Sequence, residues 1–191
     1  MVTGWLQRRF IPEDSVVLDL GAGYCTFINQ VKAAEKHAVD VAEVVKEHAA
    51  SDVATHLVPC HNMEGVPSDH FDVVFESFLF EHLTREELAD TLAEILRVLR
   101  PGGRLIAAQP NFYYAYRQYF DDYTHRLVFT HRSMADCLAA AGFEIELVIP
   151  KFLPFSLRSS LPTARWLVKL YLASPFKPLS GNMLIVCRKP G

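Results

Sequence analysis

The sequence has no apolar run long enough to span a bilayer, which takes about 20 consecutive residues in a helix. Residues 1–5 also lack the basic stretch and apolar core of a secretory signal peptide. These absences predict a cytoplasmic protein. Half of the 191 residues are hydrophobic and 21% are charged, which is typical of a globular protein, and the length predicts one domain over residues 1–191.

Cysteine is scarce and scattered, and no two cysteines form a C-x-x-C pair. This spacing argues against a disulfide framework and against a zinc site, so we expect reduced thiols and no bound metal. The four are Cys25, Cys60, Cys137 and Cys187.

Acidic residues are absent after Glu146, whereas the sequence up to that point carries all 22 of them against 12 basic residues. The net charge of −3 therefore combines an acidic body with a basic, apolar tail. The sequence leaves open whether this tail faces phosphate, an anionic lipid surface, the acidic body or only solvent. Its seven bases are Lys151, Arg158, Arg165, Lys169, Lys177, Arg188 and Lys189.

Short apolar runs and helical periodicities alternate along the chain, which predicts a doubly wound, mostly parallel α/β sheet. The helix after Thr84 has the clearest signal, because Glu87 completes a capping box and Pro101 ends the helix. Ligands of such sheets bind at the carboxyl ends of the strands. Strands are predicted at residues 16–20, 37–40, 53–58, 71–75, 104–108, 143–149 and 183–187, and helices at 26–34, 43–50, 84–99 and 133–141.

A glycine turn, Gly21-Ala22-Gly23, follows Asp19 at the end of the first predicted strand. Glycines let the backbone turn tightly and approach a ligand without a Cβ clash. The dinucleotide fingerprint needs a further glycine where Thr26 stands, which argues against a nicotinamide-dependent oxidoreductase. Alone, the turn is also compatible with a purely structural role.

A second acid, Asp40, ends the second predicted strand 21 residues after Asp19. A carboxylate there can accept hydrogen bonds from both hydroxyls of a ribose, each contributing about 1.5–3 kcal/mol. The alternative is an acid that stabilises the N-terminus of the next helix. Because the glycine turn stands at this spacing from Asp40, we favour ribose binding.

Five motifs in this order resemble the class I S-adenosylmethionine-dependent methyltransferase family, and the resemblance spans residues 16–143. They are Val-Leu-Asp-Leu-Gly-Ala-Gly, Ala-Val-Asp, Phe-Asp-Val-Val, Glu-His-Leu and Leu-Arg-Pro-Gly-Gly. The resemblance implies a Rossmann-like sheet of seven strands, mostly parallel with the last strand antiparallel, with helices on both faces. It also implies S-adenosylmethionine as the cofactor.

The resemblance assigns residues to the cofactor by position. They are Asp19, Gly21, Ala22 and Gly23 for its methionine part, Asp40 and Val41 for its ribose, Asn62 and Met63 beside its adenine, and Ser77 and Phe78 at the pocket floor. His82 matches a histidine common in the family, either near the cofactor or packed at a helix start. Cys25 departs from the pattern, since it stands where a third glycine is usual, and we expect its side chain to narrow and shift the loop.

The segment 111–129 follows the fifth predicted strand and is unusually aromatic. We interpret it as a wall for a ring-shaped acceptor such as a sugar, with His125 as general base and Asp122 as its orienting partner. A lid or a dimer surface that uses the aromatics as core is the alternative. The eight aromatics are Phe112, Tyr113, Tyr114, Tyr116, Tyr119, Phe120, Tyr123 and Phe129.

A second segment, 150–182, separates the last two predicted strands, which form a tight hairpin in the minimal fold. It could be a substrate lid, a dimer arm, or an interfacial helix on anionic lipid at residues 165–172. Both segments resemble those of methyltransferases that accompany glycosyltransferases in bacterial cell-surface polysaccharide synthesis. This narrower resemblance implies O-methylation of a small or lipid-linked sugar acceptor, at or near the inner face of the membrane.

Two further functions stay open at this point. One is a partner subunit that binds the cofactor, or nothing, without its own activity, and the other is the oxidoreductase disfavoured by Thr26. A nucleic-acid partner is not expected, because the body is acidic and no Asn-Pro-Pro-Tyr-like base-binding motif is present.

Overall fold

The computed structural model describes residues 1–154, 165–174 and 176–191. The strands are β1 (Val16–Leu20), β2 (Glu35–Asp40), β3 (Val53–Leu57), β4 (Phe71–Ser77), β5 (Leu99–Pro110), β6 (Glu144–Pro154) and β7 (Ser180–Arg188). The helices are α1 (Val2–Phe10), α2 (Val44–His48), α3 (Arg85–Val98), α4 (Phe112–Ala115), α5 (His131–Ala140) and α6 (Arg165–Ala173).

The seven strands form one sheet in the order β3-β2-β1-β4-β5-β7-β6. The pairs among β1 to β5 are parallel, and β7 lies antiparallel between β5 and β6. This arrangement confirms the predicted fold class. The strand order reverses between β1 and β4, so a crevice for ligands is expected at their carboxyl ends.

Helices cover both faces of the sheet, as predicted. On one face, α3 and α5 pack on β1, β4 and β5 through side chains such as Leu92 and Leu138. On the other face, α1 and α2 pack through Leu6 and Val45. Helix α1 was not predicted from the sequence, and Leu6 is its single buried residue.

The capping box predicted for α3 is confirmed. The Glu87 N–H donates to Thr84 Oγ1 at 3.1 Å, and the Thr84 N–H donates to Glu87 Oε2 at 2.8 Å. Substituting such a cap typically costs about 1 kcal/mol. The signal is local in sequence, which is why it could be recognised without the tertiary structure.

The helix predicted at residues 26–34 is wrong, because this segment forms a series of turns that leads into β2. Phe27, Ile28 and Val31 are buried against the sheet from these turns. Asn29 fixes the segment from outside, since its side chain donates to His48 O at 2.7 Å and accepts from the Ala50 N–H at 2.9 Å. Tertiary packing therefore outweighs the helical periodicity here.

The predicted segment 150–182 is shorter than the sequence suggested, because β6 and β7 extend into it and still pair at Pro154 and Ser180. The helical pattern at residues 165–172 corresponds to α6, and the remainder of that segment, 155–164 and 175, lies outside the described residues. Leu172 packs against the core, while Trp166 and Leu170 are exposed. No helix in the described part of the chain is both long and apolar enough for a membrane crossing.

Candidate cofactor and acceptor site

The glycine turn lies at the carboxyl end of β1, at the predicted crevice. Gly21 has φ of 71° and Gly23 has φ of 48°, a left-handed conformation that favours glycine. A Cβ on Gly21 would also lie 3.2 Å from a Leu79 methyl group. The Gly21 N–H donates to Val39 O at 2.8 Å, which ties the turn to the end of β2.

Asp40 closes the same turn from the end of β2. Its Oδ2 accepts from the Gly23 N–H and its Oδ1 from the Ala42 N–H, each at 2.8 Å. Each carboxylate oxygen keeps a second lone pair for a ligand hydroxyl. Helix α2 has Glu43 as its N-cap, so Asp40 lies three residues ahead of the cap and outside the first turn of the helix.

Asp19 is buried beneath the turn, with 4% of its surface exposed. Burial raises the pKa of its carboxyl to about 7, the nearby charge of Asp40 adds to this rise, and the Ile28 N–H opposes it. A carboxyl that is half-protonated near neutral pH can become fully charged when a cationic group binds beside it. The ammonium group of a methionine moiety would be such a partner.

Two cavities meet at Gly21. The first, of about 200 Å³, is lined by residues that include Asp19, Ala22 and Ser77, together with α1. The second, of about 250 Å³, is lined by residues that include Asp40 and Val41. The pair matches the two ends of a cofactor that bends over a glycine turn, with the methionine part on one side and adenosine on the other.

The adenine side differs from the residues that the resemblance assigned. Asn62 and Met63 line neither cavity, and Cys60 and His61 line the second one in their place. Met63 is fully buried in the core, and its N–H donates to Glu94 Oε2 at 2.7 Å. Phe78, the other displaced residue, has φ of 57° and lies outside the lining of both cavities.

Cys25 does not narrow the loop, contrary to the expectation, because its side chain is fully buried in the core and lines neither cavity. Its φ of 55° shows that the backbone keeps the left-handed conformation of a glycine, at a cost of about 1–3 kcal/mol. Burial raises the pKa of the thiol. A reactive role for this cysteine is therefore unsupported.

His125 is nearly buried in the aromatic segment. Its Nδ1 lies 2.7 Å from Tyr119 O, and since a carbonyl only accepts, Nδ1 carries the proton and Nε2 keeps its lone pair. Burial lowers the pKa of the imidazole, so the neutral form dominates at pH 7. This is the state that a general base requires.

Asp122 is not hydrogen-bonded to His125, so the prediction of Asp122 as the orienting partner is wrong. Tyr119 O orients the imidazole instead. The Asp122 carboxylate instead accepts from the Thr124 N–H at 2.9 Å and from its Oγ1 at 2.5 Å. Thr124 Oγ1 lies 3.0 Å from His82 Nδ1, and His82 also lines the second cavity. His82 therefore supports the aromatic segment and borders the cofactor site at once.

Glu81 is a site residue that the sequence interpretation named only within a motif. Its carboxyl is almost fully buried and has no hydrogen-bond partner among the described residues. Burial, with the charge of Asp122, raises its pKa to about 8. Ligating atoms of Glu81, His82 and His125 all lie within 4.8 Å of one another, so polar groups converge beside the cofactor cavity.

A second buried polar group lies at the ends of β4, β5 and β7. Gln109 Nε2 donates to Glu76 Oε2 at 2.5 Å, and burial raises the pKa of Glu76 well above its usual value. Oxygens of Glu76, Gln109 and Asn182 have no partner among the described residues. Unpaired polar atoms are costly to bury. A ligand that donates hydrogen bonds to these oxygens would offset that cost.

Known proteins of similar sequence include methyltransferases. Residues 18–107 match a family model described as a methyltransferase domain. The chain is 33% identical over 153 residues to the malonyl-[acyl-carrier protein] O-methyltransferase of Methylococcus capsulatus, with 71% of this chain and 54% of that protein covered. The chain thus spans about half the length of this curated relative.

Solved structures share the whole fold. An S-adenosylmethionine-dependent methyltransferase from Archaeoglobus fulgidus superposes with a TM-score of 0.70 at 17% identity, covering 98% of this chain and 93% of that one. A chain from the complex between the Haloferax volcanii Trm112 methyltransferase activator and a methyltransferase has a TM-score of 0.71 at 15% identity, covering 100% and 94%. Residues 18–107 are therefore identified as a methyltransferase domain, within a chain that has the class I fold of S-adenosylmethionine-dependent methyltransferases.

Proposed function

We propose that this chain, as one domain over residues 1–191, methylates a hydroxyl of a small, sugar-like acceptor, with His125 as general base. The observation that carries this proposal is the free Nε2 of a neutral His125, which converges with Glu81 beside the cofactor cavity. The curated relative is named as an O-methyltransferase, which supports an oxygen acceptor.

When bound, S-adenosylmethionine supplies a methyl group that is already activated, so the chain's residues mainly position and desolvate the acceptor. A sugar hydroxyl is a poor nucleophile and needs a base. His125 Nε2 takes its proton, and Tyr119 O and the nearby charge of Asp122 stabilise the resulting imidazolium. The protonated Glu81 can donate a hydrogen bond to a neighbouring acceptor oxygen.

The aromatic segment supports a ring-shaped acceptor. Four of its aromatics are largely exposed although they flank the buried Tyr119 and His125, and aromatic faces pack well on the apolar face of a sugar ring. The charge of Asp122 near His125 disfavours a carboxylate acceptor by like-charge repulsion. The exposed aromatics are Tyr113, Tyr116, Phe120 and Tyr123.

The experiment is turnover with labelled S-adenosylmethionine and a panel of sugars, lipid-linked sugars and carboxylates. We expect His125→Ala to lose about 10²–10⁴-fold in turnover with a hydroxyl acceptor, while the matched histidine variant His70→Ala, altered at the opposite edge of the sheet, keeps it. Because the pKa of His125 is lowered, the wild-type rate is expected to fall as pH drops through that lowered pKa, and to fall again above about pH 8 as Glu81 loses its proton. If His125→Ala turns over the acceptor at the full rate, then the acceptor needs no base. A carboxylate is an acceptor of that kind.

A partner subunit is the second candidate, because one structural neighbour comes from a complex with a methyltransferase activator. Calorimetry with S-adenosylhomocysteine separates the two functions. Heat of binding without turnover on any acceptor would favour the partner subunit. Absence of binding would contradict the methyltransferase function and leave a partner subunit that binds no cofactor.

A further inference from the structure

Three histidines and a glutamate form a cluster at the other end of the sheet from the cofactor. Glu35 and His37 lie on the same face at the start of β2, and His70 directly precedes β4. Asp40 ends β2 about 16 Å away, at 3.3 Å per residue. The cluster is therefore separate from the proposed methyl-transfer site.

The separations of the cluster's atoms match those of ligands around one metal ion. Glu35 Oε1 lies 2.7 Å from His37 Nε2 and 3.2 Å from His70 Nε2, and all three atoms lie within 4.8 Å of one another. Ligands at about 2.0–2.1 Å from zinc are about 2.9 Å apart at right angles and about 3.4 Å apart in a tetrahedron. The Glu35–His70 separation lies within this range, and the Glu35–His37 separation lies slightly below it.

A fourth residue supports the orientation of His37. His37 Nδ1 lies 2.9 Å from His56 Nε2 on β3, and the two rings are nearly parallel, at 10°. A metal-ligating histidine characteristically donates its other ring N–H to an acceptor in this way. With a metal on Nε2, His37 carries its ring proton on Nδ1 and donates it to His56 Nε2, and His56 carries its own proton on Nδ1.

One part of the cluster is buried and held by packing, and the other part is open to solvent. The His37 side chain is 9% exposed and packs edge-on against Phe71, with ring centroids 5.0 Å apart. The side chains of Glu35 and His70 are 47% and 31% exposed, which leaves a path for an ion and a position for water. Imidazole with one carboxylate suits Zn²⁺ and its neighbours and is a poor set for Mg²⁺.

We propose that Glu35, His37 and His70 bind one Zn²⁺ ion, with His56 as the positioning residue behind His37. The ion would connect β2 directly to the start of β4, and β3 through His56, across the intervening β1. It is a structural site that is independent of methyl transfer.

The test is calorimetric titration of the untagged, chelator-treated full chain with Zn²⁺, and with Mg²⁺ for comparison. We expect one saturable Zn²⁺ site, lost or weakened more than tenfold in Glu35→Gln and His70→Ala, and weakened about 10–100-fold in His56→Phe. His48→Ala removes an exposed histidine outside the cluster and is expected to keep the affinity.

Zinc could instead bind at Glu81, His82 and His125, the other group with suitable spacing among the described residues. Titration of His125→Ala distinguishes the two sites. Loss of zinc binding in His125→Ala, with binding retained in His70→Ala, would overturn the proposal. The absence of saturable zinc binding by the wild type would also overturn it. Circular dichroism and S-adenosylhomocysteine binding, measured without metal, check that each variant is folded.

Discussion

Substituting Asp19 by asparagine is expected to stabilise the protein while weakening its cofactor site. The folded-state pKa is about 7 against a reference of 3.8, a rise of about 3 units, and each unit corresponds to 1.36 kcal/mol. A raised pKa means that the folded protein loses stability as pH rises from about 4 through 7, because the buried carboxyl must ionise. The maximum loss is about 4 kcal/mol.

The asparagine side chain would keep the shape of the aspartate and accept the same Ile28 N–H without ever ionising. Urea unfolding at pH 5 and pH 8, without ligand, is the assay. We expect Asp19→Asn to exceed the wild type by a few kcal/mol at pH 8 and by much less at pH 5. Glu81 also titrates but does so in both proteins. The charge of Asp19 helps to raise the pKa of Glu76, so the difference between the proteins reports on Asp19 together with its effect on Glu76.

Binding of S-adenosylhomocysteine is expected to change in the opposite direction. A lost charged hydrogen bond costs about 1.5–3 kcal/mol, or at least tenfold in affinity. Parallel stability curves for the two proteins between pH 5 and 8 would refute the pKa argument. Unchanged affinity would separately refute the role of Asp19 in cofactor binding.

Three further outcomes are expected. Gly21→Ala places a Cβ 3.2 Å from Leu79 at a φ of 71°, so calorimetry should show weaker S-adenosylhomocysteine binding than in Gly23→Ala, where the space is open; equal affinities would contradict the close approach. Cys25→Gly relieves the left-handed strain but removes a buried side chain. Because these two effects oppose each other, the free energy of unfolding measured by thermal denaturation should change by less than about 2 kcal/mol. A larger loss would mean that packing dominates. Because Trp166 is 67% exposed on α6, co-sedimentation with anionic liposomes at low salt should fall in Trp166→Ala; no binding by the wild type would remove the membrane contact.

The fold could be predicted because its signals are local. Five motifs, the capping box at Thr84 and the alternation of buried runs each occupy a few consecutive residues. The exceptions depend on distant partners. The turns after Cys25 are held by Asn29 contacts to the end of α2, and no periodicity within the segment reports them.

The site was predictable at the turn and less so at its margins. The spacing of Asp40 from Asp19 led to two strand ends that meet at one crevice in the structure. The cavity there is lined by Cys60 and His61 and not by the predicted Asn62 and Met63, because Met63 fills the core and the boundary of β3 cannot be predicted that finely from sequence. Glu81 had one available signal, an acid beside a histidine in an otherwise apolar stretch.

Helix α1 gives the cofactor cavity an unusual dependence on the first turns of the chain. Val2, Thr3 and Leu6 form one wall of the methionine side, and Trp5 rests on Phe152 of β6, with ring centroids 5.4 Å apart. A tag attached ahead of Val2 would therefore lie close to this cavity. The measured rate of cofactor exchange would then depend on the tag as well as on the glycine turn. A carboxyl-terminal tag avoids this effect.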